Sequence, residues 1–78
     1  MMIEELKTLS TCGKSWAEKR AKMALDINEQ FEGGGLEDFE YQAMMEKLVE
    51  SNKLDREADD LDTKALLVTA VYTVAGII

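Results

Sequence analysis

Apolar residues recur three or four positions apart along most of the chain, and glycine is the main interruption. Ile3, Leu6 and Leu9 share one helical face, which predicts a short helix over 3–9. Ser10-Thr11-Cys12-Gly13 reads as a turn. Ser15 follows as a helix cap, with Glu18 where a capping box places an acid. Trp16, Met23, Ile27 and Phe31 continue as one stripe, predicting a helix over 15–32. Gly33-Gly34-Gly35 ends it and forms a joint, because glycine alone enters the left-handed region freely. A third helix is expected over 36–51. Glu37, Asp38 and Glu40 suit the positive end of its dipole, and Leu36, Phe39, Ala43, Met44 and Leu48 form its apolar face.

The strongest periodicity comes last. Leu54, Ala58, Leu61, Ala65, Val68, Tyr72 and Ala75 step alternately by four and three residues. That is a heptad seam of coiled-coil type, predicting a helix over 54–78 and an interface along those seven residues. Ser51-Asn52-Lys53 separates it from the third helix; without a break there, the two run on as one helix of about 40 residues, roughly 60 Å long. Val68, Thr69, Val71, Tyr72, Thr73 and Val74 favour a strand on propensity. The unbroken heptad phase and the absence of a sheet to join decide for helix. The expected fold is therefore all-α, a single helical domain over 1–78. It is a helical hairpin or a chain of three to four helices with a long heptad-patterned C-terminal helix.

The chain has no proline, in keeping with helix throughout. Seventy-eight residues bury only about 60% of their unfolded surface when folding alone, so a partner or very good packing is needed. One cysteine excludes a disulfide framework, and one cysteine without histidine argues against zinc. The lone thiol fits a reducing compartment. The opening Met1-Met2-Ile3-Glu4-Glu5 has neither a basic region nor a hydrophobic run, so a secreted protein is not expected. The expected location is cytoplasmic or within a virion.

Charge is segregated within the formal total of −7. Residues 1–30 balance, residues 31–62 hold eleven acids against three bases, and no charge follows Lys64. No basic footprint for nucleic acid is present. The uncharged end is shorter than the ~20 residues that span a bilayer, so a membrane partner is not expected either. Asp55, Glu57, Asp59, Asp60 and Asp62 form an acidic face. As a solvated surface it maintains solubility; as a functional one it would meet a basic partner.

No motif implies chemistry. Cys12-Gly13-Lys14-Ser15 ends like a phosphate loop, but Thr8 stands where the first glycine belongs. The run from Asp55 to Asp62 lacks the central glycine and closing glutamate of a calcium loop, and consecutive acids radiate around a helix. Cys12 has no histidine to activate it. Met44-Met45 can line a core or an adaptable surface. Tyr72 lies in the seam, where its hydroxyl needs a partner and would fix the register between copies. No enzyme activity, metal or cofactor is expected.

Two stretches carry a resemblance: Gly35-Leu36-Glu37-Asp38-Phe39-Glu40-Tyr41-Gln42-Ala43-Met44-Met45-Glu46-Lys47-Leu48, and Asp59-Asp60-Leu61-Asp62-Thr63-Lys64-Ala65-Leu66-Leu67-Val68-Thr69-Ala70. They resemble small accessory proteins of tailed bacteriophages in composition and pattern. The resemblance implies a virion or assembly role around head, tail or baseplate, and assigns no residue a function. Two functions are thus expected. The first is an assembly component that packs through its C-terminal helix against copies of itself or a larger structural protein. The second is a small acidic inhibitor that covers a basic surface of a nucleic-acid-binding complex. Asp59, Asp60 and Asp62 changed to Asn should disable the inhibitor, whereas Val68→Asp or Leu61→Asp should disable the assembly component.

Overall fold

A computed structural model describes residues 2–50 and 52–77. Among them are five helices and no strand: α1 (Ile3–Leu9), α2 (Ser15–Glu32), α3 (Asp38–Val49), α4 (Asn52–Glu57) and α5 (Leu61–Ala75). The all-α expectation holds. The β-favouring run of residues 68–74 is helical because its hydrogen bonds close within α5 and its apolar face finds helices to pack on. Helix α2 packs on α1, α3 and α5, and α5 packs on α1, α2 and α3.

The long C-terminal helix does not form. A continuous rod of about 60 Å would not fit a molecule whose longest extent is 34 Å. Helix α3 stops at Val49. The expected break at Ser51-Asn52-Lys53 falls partly outside the described residues at Ser51, and Asn52 and Lys53 already belong to α4. A second break at 58–60 splits the heptad seam. Its cause is local. Asp60 has extended backbone and its Oδ1 accepts from the amides of Asp62 at 3.0 Å and Thr63 at 3.3 Å. Its Oδ2 accepts from the Thr63 hydroxyl at 2.8 Å. A carboxylate that satisfies the orphan amides of a first turn starts a new helix. At the far end Gly76 adopts φ 72°, the left-handed cap that only glycine takes without cost.

Three further corrections follow from which stripe each helix buries. Ser15 does not cap α2: Lys14 is the N-cap, and Glu18 accepts instead from the Gly13 amide at 3.0 Å. The core side of α2 is Trp16, Ala17, Ala21, Ala24, Ile27 and Asn28, so Met23 is left outside. Helix α3 buries Tyr41, Met45, Leu48 and Val49 rather than Phe39, Ala43 and Met44. That stripe, at i, i+4, i+7 and i+8, aims the Tyr41 ring at α2, where it stacks on Phe31 at 4.2 Å between centroids. Helix α5 buries Leu67, Ala70, Val71, Val74 and Ala75 in the chain's own core, so much of the uncharged C-terminal region is covered internally.

Candidate functional site

Polar anchors fix the helix ends and explain what remains outside. The Tyr41 hydroxyl donates to Asn28 Oδ1 at 2.7 Å, with the Val74 carbonyl at 3.3 Å as a second acceptor within reach. Asn28 in turn donates to Glu32 Oε1 at 3.2 Å. One buried network therefore ties α2, α3 and α5 together. Burial, followed by the Glu32 carboxylate, raises the Tyr41 pKa above its ordinary value. Gln42 on α3 donates to the Ala75 carbonyl at 3.3 Å, helping to close the end of α5.

The acidic face is partly consumed inside the fold. The Trp16 indole donates to Asp59 Oδ1 at 3.1 Å, and Lys14 Nζ stands 3.4 Å from the same oxygen. Hydrogen bonds from Trp16 and then Lys14 hold the Asp59 carboxyl below its usual range. Thr63, through hydroxyl and amide, does the same for Asp60. Asp55 pairs with Lys64. Glu57 lies 3.8 Å from both Arg20 and Lys53. Glu57, Asp59 and Asp60 tie this region to Arg20, Trp16 and Lys14, and Asp55 joins α4 to α5. Asp62 makes no ion pair among the described residues and points outward with its neighbour Leu61.

The seven-residue seam does not act as one surface. Leu54 and Ala75 lie in the core, Ala58, Val68 and Tyr72 are half-buried, and Leu61 and Ala65 face outward. Tyr72 is already partnered within the chain: its hydroxyl donates to Glu50 Oε1 at 2.6 Å. That acceptor is the main reason the Tyr72 pKa is pushed up to about 12.

Exposed apolar side chains remain at Phe39, at the start of α3, and on two further surfaces. One is the outer face of α5, formed by Leu61, Asp62, Ala65, Leu66, Thr69 and Thr73, all exposed. Leu61 is 79% exposed and Leu66 40%. The other is an open groove of about 310 Å³ between α2 and α3, lined by Arg20, Met23, Ile27, Met44, Lys47 and Leu48. Met23 and Met44, on its rim, are 43% and 39% exposed. Arg20 donates to the Leu48 carbonyl at 2.6 Å across the floor of this groove. The sequence pointed to Leu61 and Ala65 through the heptad. It left Met44 open between core and adaptable surface, and it missed Met23, which it assigned to the core stripe of α2.

Among the described residues no group of three His, Cys, Asp or Glu side chains is placed to hold a metal ion. No helix among them is long and apolar enough to cross a membrane. No protein-family model, curated protein or solved structure matches the chain.

Proposed function

We propose that this chain is a non-enzymatic interaction and assembly component. In line with its resemblance to phage accessory proteins, it serves as a small structural protein of a phage particle, in head, tail or baseplate. Its partner is a copy of itself or a larger structural protein. The observation that carries this reading is the pairing of exposed apolar groups. Leu61 and Leu66, five residues and so about 140° apart around α5, flank the exposed Ala65 and Thr69, and Met23 and Met44 share one groove, outside a core that is already closed. Single exposed leucines are ordinary on a protein surface, but side chains grouped on two faces favour binding.

The surface proposed for the partner is the outer face of α5, so it differs from the seam. It keeps Leu61 and Ala65, adds Leu66, and gives up Leu54 and Ala75, which cannot reach a partner from the core. The inhibitor reading loses support for a structural reason. Asp59 and Asp60 already serve Trp16, Lys14 and the first turn of α5. Changing them to Asn would disturb the fold as well as the charge.

The test is site-specific photo-crosslinking in the cells that make the protein. A crosslinker at Leu61 should capture a discrete protein, either a copy or another chain. The same group at Glu29, exposed on α2, should capture none. Capture that is equal at both positions, or absent at both, would refute the reading.

A further inference from the structure

The two apolar surfaces left outside the core carry opposite charges that have no ion pair among the described residues, Asp62 on one and Lys47 on the other. The outer face of α5 is a ridge. Ala65 and Thr69 are small and let another backbone come close, and Leu61 and Leu66 project beside them. Its charged residue is the acid Asp62, which lacks an ion pair among the described residues. The groove between α2 and α3 is concave, floored by Ile27 and Leu48 and edged by Met23 and Met44. Its charged residues are the bases Arg20 and Lys47. Arg20 is held by Leu48 and Glu57, whereas Lys47 has no ion pair among the described residues.

This basic edge is unusual in a chain of net charge −7. Two copies repel over most of their surfaces, so they approach favourably only where a basic patch meets an acidic one. In the groove that base is Lys47, because Arg20 is already held by Glu57 and the Leu48 carbonyl. The acidic counterpart is the start of α5, where Asp62 flanks Leu61. Methionine side chains adapt their shape to an incoming leucine, which suits a groove that receives a helix.

We infer that the outer face of α5 in one copy seats in the α2/α3 groove of the next. Ala65 and Thr69 face the groove, Leu61 and Leu66 on either flank meet its Met23 and Met44 edges, and Asp62 meets Lys47. This rests on the interaction reading above and specifies its partner as a second copy. The contact runs one way, head-to-tail, and each copy keeps one free ridge and one free groove. Such an interface grows into a ring or a filament instead of stopping at a symmetric pair.

The test is complementation between two variants of the full chain, followed by light scattering on a sizing column. The ridge variant is Leu61→Glu with Leu66→Glu, and the groove variant is Met23→Glu with Met44→Glu. All four positions are exposed, and helical circular dichroism checks that each variant folds. The wild type should increase in mass with concentration beyond a pair. Each variant alone should associate more than about tenfold more weakly, the loss that removing one buried anchor produces. An equal mixture should form a pair and nothing larger, because one intact ridge meets one intact groove. Lys47→Glu should weaken the wild-type assembly, and Asp62→Lys on the same chain should restore it. A wild type that stays monomeric overturns the inference, as does a symmetric dimer indifferent to the groove variant. If the Leu61 crosslinker then captures a different protein, the interaction reading stands without self-assembly. If it captures nothing, both fall.

Discussion

Tyr41→Phe isolates the buried network that joins three helices. It removes one oxygen and leaves the ring in place, stacked on Phe31 with 6° between the planes. What it takes away is the donor to Asn28 Oδ1 at 2.7 Å. Asn28 is 9% exposed, so its carbonyl oxygen has little access to replacement water. An acceptor left unsatisfied in a buried place costs about 1–3 kcal/mol. A chain of this length has a total stability of roughly 4–12 kcal/mol, at ~0.05–0.15 kcal/mol per residue. The single oxygen therefore carries a sizeable share. At about 4–8 °C per kcal/mol for a domain this small, the thermal midpoint should fall by roughly 5–20 °C.

Urea unfolding followed by circular dichroism measures the change directly. The midpoint should fall with the slope unchanged, because the surface exposed on unfolding is the same. Asn28→Ala alone should also destabilise, since it leaves the Tyr41 hydroxyl only the longer 3.3 Å bond to the Val74 carbonyl. The double variant should lose less than the two single losses together, with a coupling of about 0.5–3 kcal/mol. Strictly additive losses, or a Tyr41→Phe midpoint equal to the wild type, would refute the network as the tie between α2, α3 and α5.

Leu67→Ala should cost about 2–5 kcal/mol, because Leu67 is fully buried, whereas Leu61→Ala should leave monomer stability unchanged; paired urea titrations compare them. Gly76→Ala should lower the thermal midpoint, since φ 72° costs a residue with a Cβ about 1–2 kcal/mol. On acidification, stability should be fully present above the ordinary aspartate value near ~4. It should be lost as the pH falls through the lower folded values of Asp59 and Asp60. Asp60→Ala should flatten that acid limb in a pH series of unfolding midpoints. On the alkaline side, Tyr41 and Tyr72 hold their protons more tightly when folded. Stability should therefore decline as the pH rises from about 10 toward about 12. Tyrosinate absorbance follows the titration, and Tyr72→Phe should reduce the loss.

The helical class, the bounds of α1 and α2 and the glycine joint were legible because they depend on local signals: spacing, punctuation and the absence of proline. The faces were less legible. Phe39 and Tyr41 stand two apart, on opposite sides of α3, and both are plausible core aromatics. What selects Tyr41 is Asn28, across the glycine joint, and the Val74 carbonyl on another helix. No window along α3 contains that information. The seam failed for a related reason. Asp59, Asp60 and Asp62 look alike in a row, yet only Asp60 finds the Thr63 hydroxyl and becomes a cap. Periodicity continues through a cap that resets the helix axis. Of the candidate surface, Leu61 and Ala65 could be read from the heptad. Leu66, Met23 and Met44 depend on which stripe the core selects.

That selection connects the exposed surfaces with the charge. The inner side of α2 is built largely from Ala17, Ala21 and Ala24, all fully buried, which lets neighbouring helices approach closely. Close packing on small residues gains contact at little side-chain entropy cost. It also means that Met23 is not needed inside. Likewise α3 spends Tyr41 and Met45 on the core and leaves Phe39 at 69% exposure, and α5 spends Leu67 and Val71 and leaves Leu61. Such exposed apolar groups would promote indiscriminate association in a neutral protein. A net charge of −7 opposes it, because random encounters bring like charges together. Only an approach that offers bases to the acids, or acids to Lys47, escapes that repulsion. The acidity is thus a condition for keeping the apolar ridge and groove outside. On the proposed self-assembly, it turns general stickiness into a preference for one orientation.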